Sequence, residues 1–381
     1  MEFFMAIYFD CNATTPMAPE VFEAMQPFFL TEYGNAGSRT HEFGNRAKKK
    51  VEAARHEISA ALGLKVGDRV IFTSGATESN NQALFGLETF ARQTKRNRVI
   101  ISCIEHKAIL EPARELERRG FDVVRIRAKK NGQIDLDHLK DSLNDQTFLV
   151  SIMHVNNETS VIQPIPQICE ILQNCSAFFH TDAAQGFGKE MEMLKNPRID
   201  MISISGHKIY GPKGIGALIL KRRGYEKVPI TPIILGGGQE DGYRSGTLAV
   251  PLIIGLGRAA SLAIQDHEVR EKRCIKIRKQ LLSFIKKVGG IINGDPTAMV
   301  SSGINFSIPG VDSEAAMLAL KNVVAISNGS ACTSQDYSPS YVLTAMGLEK
   351  SQIKSALRFS WSYLTPEVDW DLAFAEIKKL I

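Results

Sequence analysis

From about residue 50 to residue 220 the chain alternates short apolar runs with charged, amphipathic stretches. No other feature limits its fold as much. The runs include Arg69-Val70-Ile71-Phe72-Thr73, Val99-Ile100-Ile101-Ser102-Cys103, Val123-Val124-Arg125-Ile126 and Phe148-Leu149-Val150-Ser151-Ile152-Met153. Phe178-Phe179-His180, Met201-Ile202-Ser203-Ile204 and Gly216-Ala217-Leu218-Ile219-Leu220 follow at similar intervals. Successive apolar positions imply strands buried on both faces, and the intervening helical pattern implies crossover helices. One such helix runs through Leu116 and stops at Gly120, and another covers 136–143. The pattern predicts an α/β chain with a mostly parallel central sheet.

After Gly236-Gly237-Gly238 the character changes. A charged amphipathic stretch over 252–287 predicts one long helix linking two lobes. Beyond Gly289, strand-like Gly303-Ile304-Asn305-Phe306-Ser307 and a helical pattern over 313–320 predict a smaller α+β lobe. At 381 residues the length prior is about 2.5 domains, which accommodates that division. With 44% hydrophobic and 23% charged residues, the chain has enough apolar surface for a core, which excludes disorder. The net charge of +5 is too mild to demand a nucleic-acid partner. The six cysteines form no CxxC pair and no zinc-finger spacing, so a disulfide scaffold and a metal site are not expected. The apolar opening Met1 to Phe9 lacks a basic region and runs into Asp10, and no run approaches the ~18 apolar residues of a membrane helix. A cytoplasmic, membrane-free chain is expected.

Chemistry concentrates at the predicted strand ends. In Ser205-Gly206-His207-Lys208-Ile209-Tyr210-Gly211-Pro212, a strand ends in small residues and presents a lysine. Most lysines are solvated surface cations. One held at a strand end, however, can form a Schiff base with a carbonyl cofactor. The glycines do not form a Walker loop, because Pro212 follows Gly211 where Lys-Ser/Thr would be needed. Asp182, after Phe179-His180-Thr181, places a carboxylate at another strand end. Alone it would be a turn or cap residue; beside a pyridine ring it would hold the ring proton that makes an electron sink. Ser74-Gly75-Ala76-Thr77-Glu78 opens a helix, either as an ordinary capping box or as a phosphate site. His106 follows a fourth strand end. All four features lie past carboxyl ends of predicted parallel strands, where open α/β sheets bind ligands.

One cysteine stands apart. Cys169 sits in an apolar periodic run, as buried cysteines do, whereas Cys332 lies in Ser330-Ala331-Cys332-Thr333-Ser334, among small and polar residues. That is a setting for an exposed, reactive thiol, with an incidental loop cysteine as the alternative.

Taken together, these motifs resemble those of the pyridoxal-phosphate cysteine desulfurases in the class V aminotransferase group. The matching segments are Tyr8-Phe9-Asp10 with Asn12-Ala13-Thr14-Thr15-Pro16, Gly34-Asn35-Ala36, Ser74 to Glu78 and Glu105-His106-Lys107. They continue through His154-Val155-Asn156-Asn157-Glu158, Asp182 to Gln185, Ser205 to Lys208 and Arg244-Ser245-Gly246-Thr247 to the Cys332 loop and Arg358-Phe359-Ser360. They run in order over nearly the whole chain. The Cys332 motif is similar to that of the nitrogen-fixation and iron–sulfur housekeeping branch.

The resemblance implies a PLP-dependent transferase fold of type I. Its large cofactor-binding domain would span 15–255, and a small domain made of 1–14 and 256–381 would carry a catalytic loop at 328–338. It implies Lys208 as the residue that bonds the cofactor aldehyde, Asp182 beside the pyridinium nitrogen, and His106 stacked on the ring and handling protons. Asn157 and Gln185 would contact the phenolic oxygen; Ala76, Thr77, Ser205 and His207 would hold the phosphate. Thr247 would reach the phosphate of a partner subunit in a homodimer. Asn35 and Arg358 would bind the substrate carboxylate, to which a guanidinium is suited. The implied reaction converts L-cysteine to L-alanine with a persulfide on Cys332, which then passes to a sulfur-acceptor protein.

Three details depart from the commonest pattern. Ala36 stands where proline is usual, Cys11 adds a thiol near the N-terminal motif, and the tail after Trp370 is short. The segments at 34–39, 182–186 and 196–200 resemble the DndA-type desulfurases of bacterial DNA phosphorothioation systems. Iron–sulfur cluster assembly and tRNA thiolation are the other destinations for the sulfur. The competing readings are a selenocysteine lyase or another class V transaminase and, from a different class, a non-catalytic partner or DNA-binding module. The complete Lys208, Asp182 and His106 set and the mild charge oppose the last of these.

Overall fold

The computed structural model describes residues 6–328 and 339–381. Seven strands form the central sheet in the order Arg69–Thr73, Gly216–Leu220, Met201–Ser205, Phe178–Asp182, Thr147–Ser151, Arg98–Ser102, Asp122–Ile126. Neighbouring pairs from Met201–Ser205 to Asp122–Ile126 are parallel. Gly216–Leu220 runs antiparallel to both of its neighbours. Two apolar layers sandwich the sheet. Alternate strand residues such as Phe72, Ile100, Val150, Phe179 and Ile202 face one layer, shared with helices Glu42–Leu62 and Val250–Gln265. Ile71, Val99, Ile101, Phe148 and Phe178 face the other, shared with helices Ala76–Phe85 and Lys107–Arg118. Burying each large apolar side chain contributes about 1.5–3 kcal/mol, so a strand covered on both sides is held by every residue in it.

The stretch expected as one helix over 252–287 is two, Val250–Gln265 and His267–Lys287, broken at Asp266 with φ −101° and ψ 7°. The first packs on the large sheet's core through Leu256, Ala259 and Leu262, and the second carries Cys274, Ile277 and Leu281 into a separate core. The two helices serve different cores, so the chain bends between them. The second core surrounds a three-stranded antiparallel sheet of Ala356–Ser360, Gly303–Ser307 and Ile291–Ile292. Residues 7–10 are joined to it: Ile7–Tyr8 pairs in parallel with Val324–Ala325, and Asp10 bridges Ser360. Among the described residues, no helix is long and apolar enough to cross a membrane.

The topology brings six carboxyl strand ends to one edge: Thr73, Ser102, Ile126, Ser151, Asp182 and Ser205. Gly216, the amino end of the antiparallel strand, lies between Thr73 and Ser205 at that same edge.

Candidate active site

A cavity of about 520 Å³ opens at this edge. Its wall includes Ala76, Thr77, His106, Asn157, Asp182, Gln185, Ser205, His207, Lys208 and Arg358, ten of the residues named from the sequence.

One end is built from backbone amides. The helix Ala76–Phe85 starts after Gly75, whose φ of +153° disfavours any side chain there. No side chain among the described residues caps the first amides of this helix. Glu78 instead turns back to accept from Ser74 N at 2.8 Å and from Arg244 Nε at 2.9 Å. Burial acts to raise the Glu78 pKa, but Arg244 and the Ser74 amide outweigh it and hold the carboxyl below its ordinary value. Gly216 makes the close approach possible, because a Cβ there would lie 2.4 Å from Ile204 O and 2.7 Å from Gly75 Cα. Ser205 and His207 face the same end of the cavity. Burial, with Lys208 and Lys213 nearby, lowers the His207 pKa to about 4, so its ring is neutral at pH 7 and contacts Thr14 Oγ1 at 3.1 Å.

Asp182 supplies a buried carboxylate at the end of Phe178–Asp182. Its Oδ2 accepts from Asn80 Nδ2 at 2.7 Å and its Oδ1 from Ala184 N at 2.9 Å. Both partners are hydrogen-bond donors, so each carboxylate oxygen is held in place. His106 is the N-cap of the helix Lys107–Arg118, and its Nδ1 accepts from Ala108 N at 3.1 Å. The neutral ring therefore carries its proton on Nε2. Burial lowers the His106 pKa, helped by Lys208 and Lys107 and opposed by Asp182.

Lys208 ends the short turn Gly206–Lys208 and donates to the main-chain oxygens of Asn12 and Ala13, the latter at 2.7 Å. Gln185 Nε2 donates to the same Asn12 oxygen at 2.8 Å. Asn12 is itself fixed, through its N to Ser360 Oγ at 2.8 Å and its Nδ2 to Ser160 Oγ at 3.1 Å. Arg358, 1% exposed in the strand Ala356–Ser360, reaches Asp10 Oδ1 at 2.6 Å with Nη2 and Asn157 O at 3.1 Å with Nη1. Its Nε and the Oδ1 of Asn157 are buried, with no hydrogen-bond partner among the described residues.

Two expected site residues lie elsewhere. Asn35 and Thr247 are exposed and line a second cavity of about 540 Å³, together with Arg55 and Glu240. Asn35 is therefore not beside Arg358 within one chain; its Oδ1 accepts from Gly37 N in a local turn. Cys332 and the rest of 329–338 lie outside the described residues. Sequence reasoning missed Asn12, Asn80 and Asp10 as wall or support residues. Asn12 and Asp10 lay inside a quoted motif, and Asn80 follows Thr77 by three positions on one helix face, a spacing that could have found it.

The family model for class V aminotransferases matches residues 7–371. A protein named cysteine desulfurase IscS from Rickettsia bellii is 46% identical over 97% of this chain and 89% of its own length. The chain belongs to the cysteine desulfurases of the class V aminotransferase family. Two solved structures resemble this family member throughout. DndA from Streptomyces lividans superposes with a TM-score of 0.81 at 43% identity, covering 92% of this chain and 98% of its own. SspA in complex with cysteine gives 0.82 at 35% identity, covering 95% and 100%.

The cofactor of this family is pyridoxal phosphate, and the cavity of this desulfurase fits it. Uncapped helix amides, Thr77, Ser205 and His207 suit a phosphate. Asp182 suits a protonated ring nitrogen, and Lys208 suits an aldehyde. The unpartnered Asn157 Oδ1 is a buried acceptor whose desolvation asks for a donor.

Proposed function

We propose that the chain is a pyridoxal-phosphate cysteine desulfurase in which Lys208, Asp182 and His106 handle the cofactor, Arg358 binds the substrate carboxylate and Cys332 receives the sulfur. The observation that carries this reading is the convergence on one cavity of Lys208, Asp182 and His106, from three strand ends of the large sheet, with Arg358 from the middle of a strand in the smaller sheet. The bound cofactor supplies an electron sink for the bonds at the substrate's α-carbon. Asp182 keeps a proton at the ring nitrogen's position. Lys208, released to act as a base, moves the substrate's α-proton. The neutral His106, with its proton on Nε2, donates toward the cavity. The Cys332 thiolate then attacks the sulfur of L-cysteine. A sulfur–sulfur bond forms as the carbon–sulfur bond breaks, the carbon keeps that electron pair and takes a proton, and L-alanine leaves.

The exposure of Thr247 and Asn35 in the second cavity supports a homodimer in which they face a partner's site. The persulfide passes to an acceptor protein, and the segments at 34–39, 182–186 and 196–200 favour the DNA phosphorothioation type. Purified protein is expected to show a visible cofactor band that L-cysteine changes. Cys332→Ala is expected to keep that response and to release no sulfide. A colourless protein indifferent to added pyridoxal phosphate overturns the reading. Full turnover by Cys332→Ala points to a transaminase instead.

A further inference from the structure

Residues 340 and 341 attach to the loops that follow two strands of the large sheet, through the Glu158 carboxylate and the Glu105 main-chain oxygen, neither of which the chemistry above uses. Ser340 caps the helix Tyr341–Ala345, accepting from Leu343 N at 3.1 Å, and its hydroxyl donates to Glu158 Oε2. The next residue, Tyr341, donates from its hydroxyl to Glu105 O at 2.6 Å. Val342, Leu343 and Met346 then pack on Ile104 and Met153. Glu158 adjoins Asn157 and Glu105 adjoins His106, so both attachments are one residue from the cavity wall.

Glu158 is firmly held. Glu158 is 3% exposed, and its backbone is pinned by Asn156 Oδ1, which accepts from Glu158 N, and by Asn305 Nδ2, which donates to Glu158 O. On the other side of 329–338, Ser327 and Arg358 exchange two backbone hydrogen bonds. Ser327 is thus fixed beside Arg358 and Ser340 beside Glu158.

We infer that Glu158 is a positioning residue for sulfur transfer: by holding Ser340 it sets where the chain downstream of Cys332 lands on the cofactor lobe. The inference rests on the assignment of Cys332 as the sulfur carrier. A misplacement of about 1 Å far from the reacting atoms can cost on the order of 100-fold in rate, so a single buried hydrogen bond at this foot is enough to matter. The hydroxyl of Ser340 needs only an acceptor here, and a glutamine amide oxygen can supply one.

The test uses the holoenzyme and reads two steps separately: the change of the visible band on mixing with L-cysteine, and the appearance of persulfide on Cys332 by mass spectrometry. Ser340→Ala and Glu158→Ala are expected to keep the band change at the wild-type rate and to slow persulfide formation by about ten-fold or more. Glu158→Gln is expected to stay within about two-fold of wild type. Equal slowing of both steps, unchanged persulfide formation in Ser340→Ala, or a Gln variant as slow as the Ala variant overturns the inference. A wild type that shows the band change but never carries persulfide on Cys332 overturns the Cys332 assignment and this inference together.

Discussion

Arg358 Nη2 lies 2.6 Å from Asp10 Oδ1, so the guanidinium proposed to take the substrate carboxylate already holds a carboxylate of its own. Asp10 is partly exposed while Arg358 is almost fully buried. The pair fixes the plane of the guanidinium and leaves the buried Nε without a partner among the described residues. Asp10→Asn keeps an acceptor for Nη2 but removes the charge. Denaturant melts are expected to show a loss of about 1–3 kcal/mol, and steady-state kinetics a KM for L-cysteine that rises more than kcat falls. An unchanged KM would remove Arg358 from the carboxylate site.

Gly216 offers a steric test of the phosphate end. Gly216→Ala drives a methyl into Ile204 O and Gly75 Cα, with overpacking expected to cost about 1–3 kcal/mol. Displacing Gly75 also tilts the first amides of the helix Ala76–Phe85, so cofactor affinity is expected to fall in an equilibrium titration. Gly224→Ala is the control. That position has φ +64° and nothing within 4 Å, so it pays only the left-handed backbone cost and leaves cofactor binding unchanged.

Asn80 donates to Asp182 from a helix the sequence reading did not connect to it. Asn80→Ala removes a donor that stabilises the buried carboxylate. Cofactor titration is expected to show weaker binding, by about five- to ten-fold, because the Asp182 carboxylate loses the donor that orients it. Wild-type affinity in the Asn80→Ala variant would separate Asn80 from the role of Asp182.

Buried titratable groups set opposite slopes of stability with pH. Burial pushes His154 and His180 down to about 3, so between about 3 and the ordinary histidine value the unfolded chain binds more protons and stability rises with pH. Burial pushes Glu105 up to about 8 and Glu158 up to about 7, opposed by the Ser102 and Ser340 hydroxyls. Between the ordinary glutamate value and those values the folded chain binds more protons, so stability falls as pH rises. Maximum stability is therefore expected on the acid side of neutrality. Glu105→Gln is expected to flatten the loss between about pH 6 and 8 in denaturant melts. An unchanged slope there would show that Glu105 is not the group responsible.

Much of this was readable in the chain. Strands buried on both faces are continuous apolar runs, so Arg69–Thr73, Gly216–Leu220 and Gly303–Ser307 could be placed to the residue. Their direction could not: a run covered on both sides reads the same either way, and Gly216–Leu220 proved antiparallel. The break at Asp266 was hidden because apolar periodicity continues through it while the packing partner changes. Lys208, Asp182 and His106 stood out because strand ends are visible in sequence. Asn80, Glu105 and Glu158 did not, because a buried polar side chain is explained by partners that only the fold brings near.

Residues 9–12 are sewn to Ser360. Cys11 N donates to Ser360 O at 3.0 Å and Ser360 N to Phe9 O at 2.8 Å, and Asn12, which receives Lys208, is held by the Ser360 side chain. On the ribosome, the large sheet can assemble as soon as its strands emerge, but the floor under Lys208 waits for Ser360, far downstream of the sheet's last strand, Gly216–Leu220. A nascent chain cut short before residue 360 would own every strand end of the large sheet and Asn12 as well, yet lack the serine that fixes Asn12 beneath its lysine.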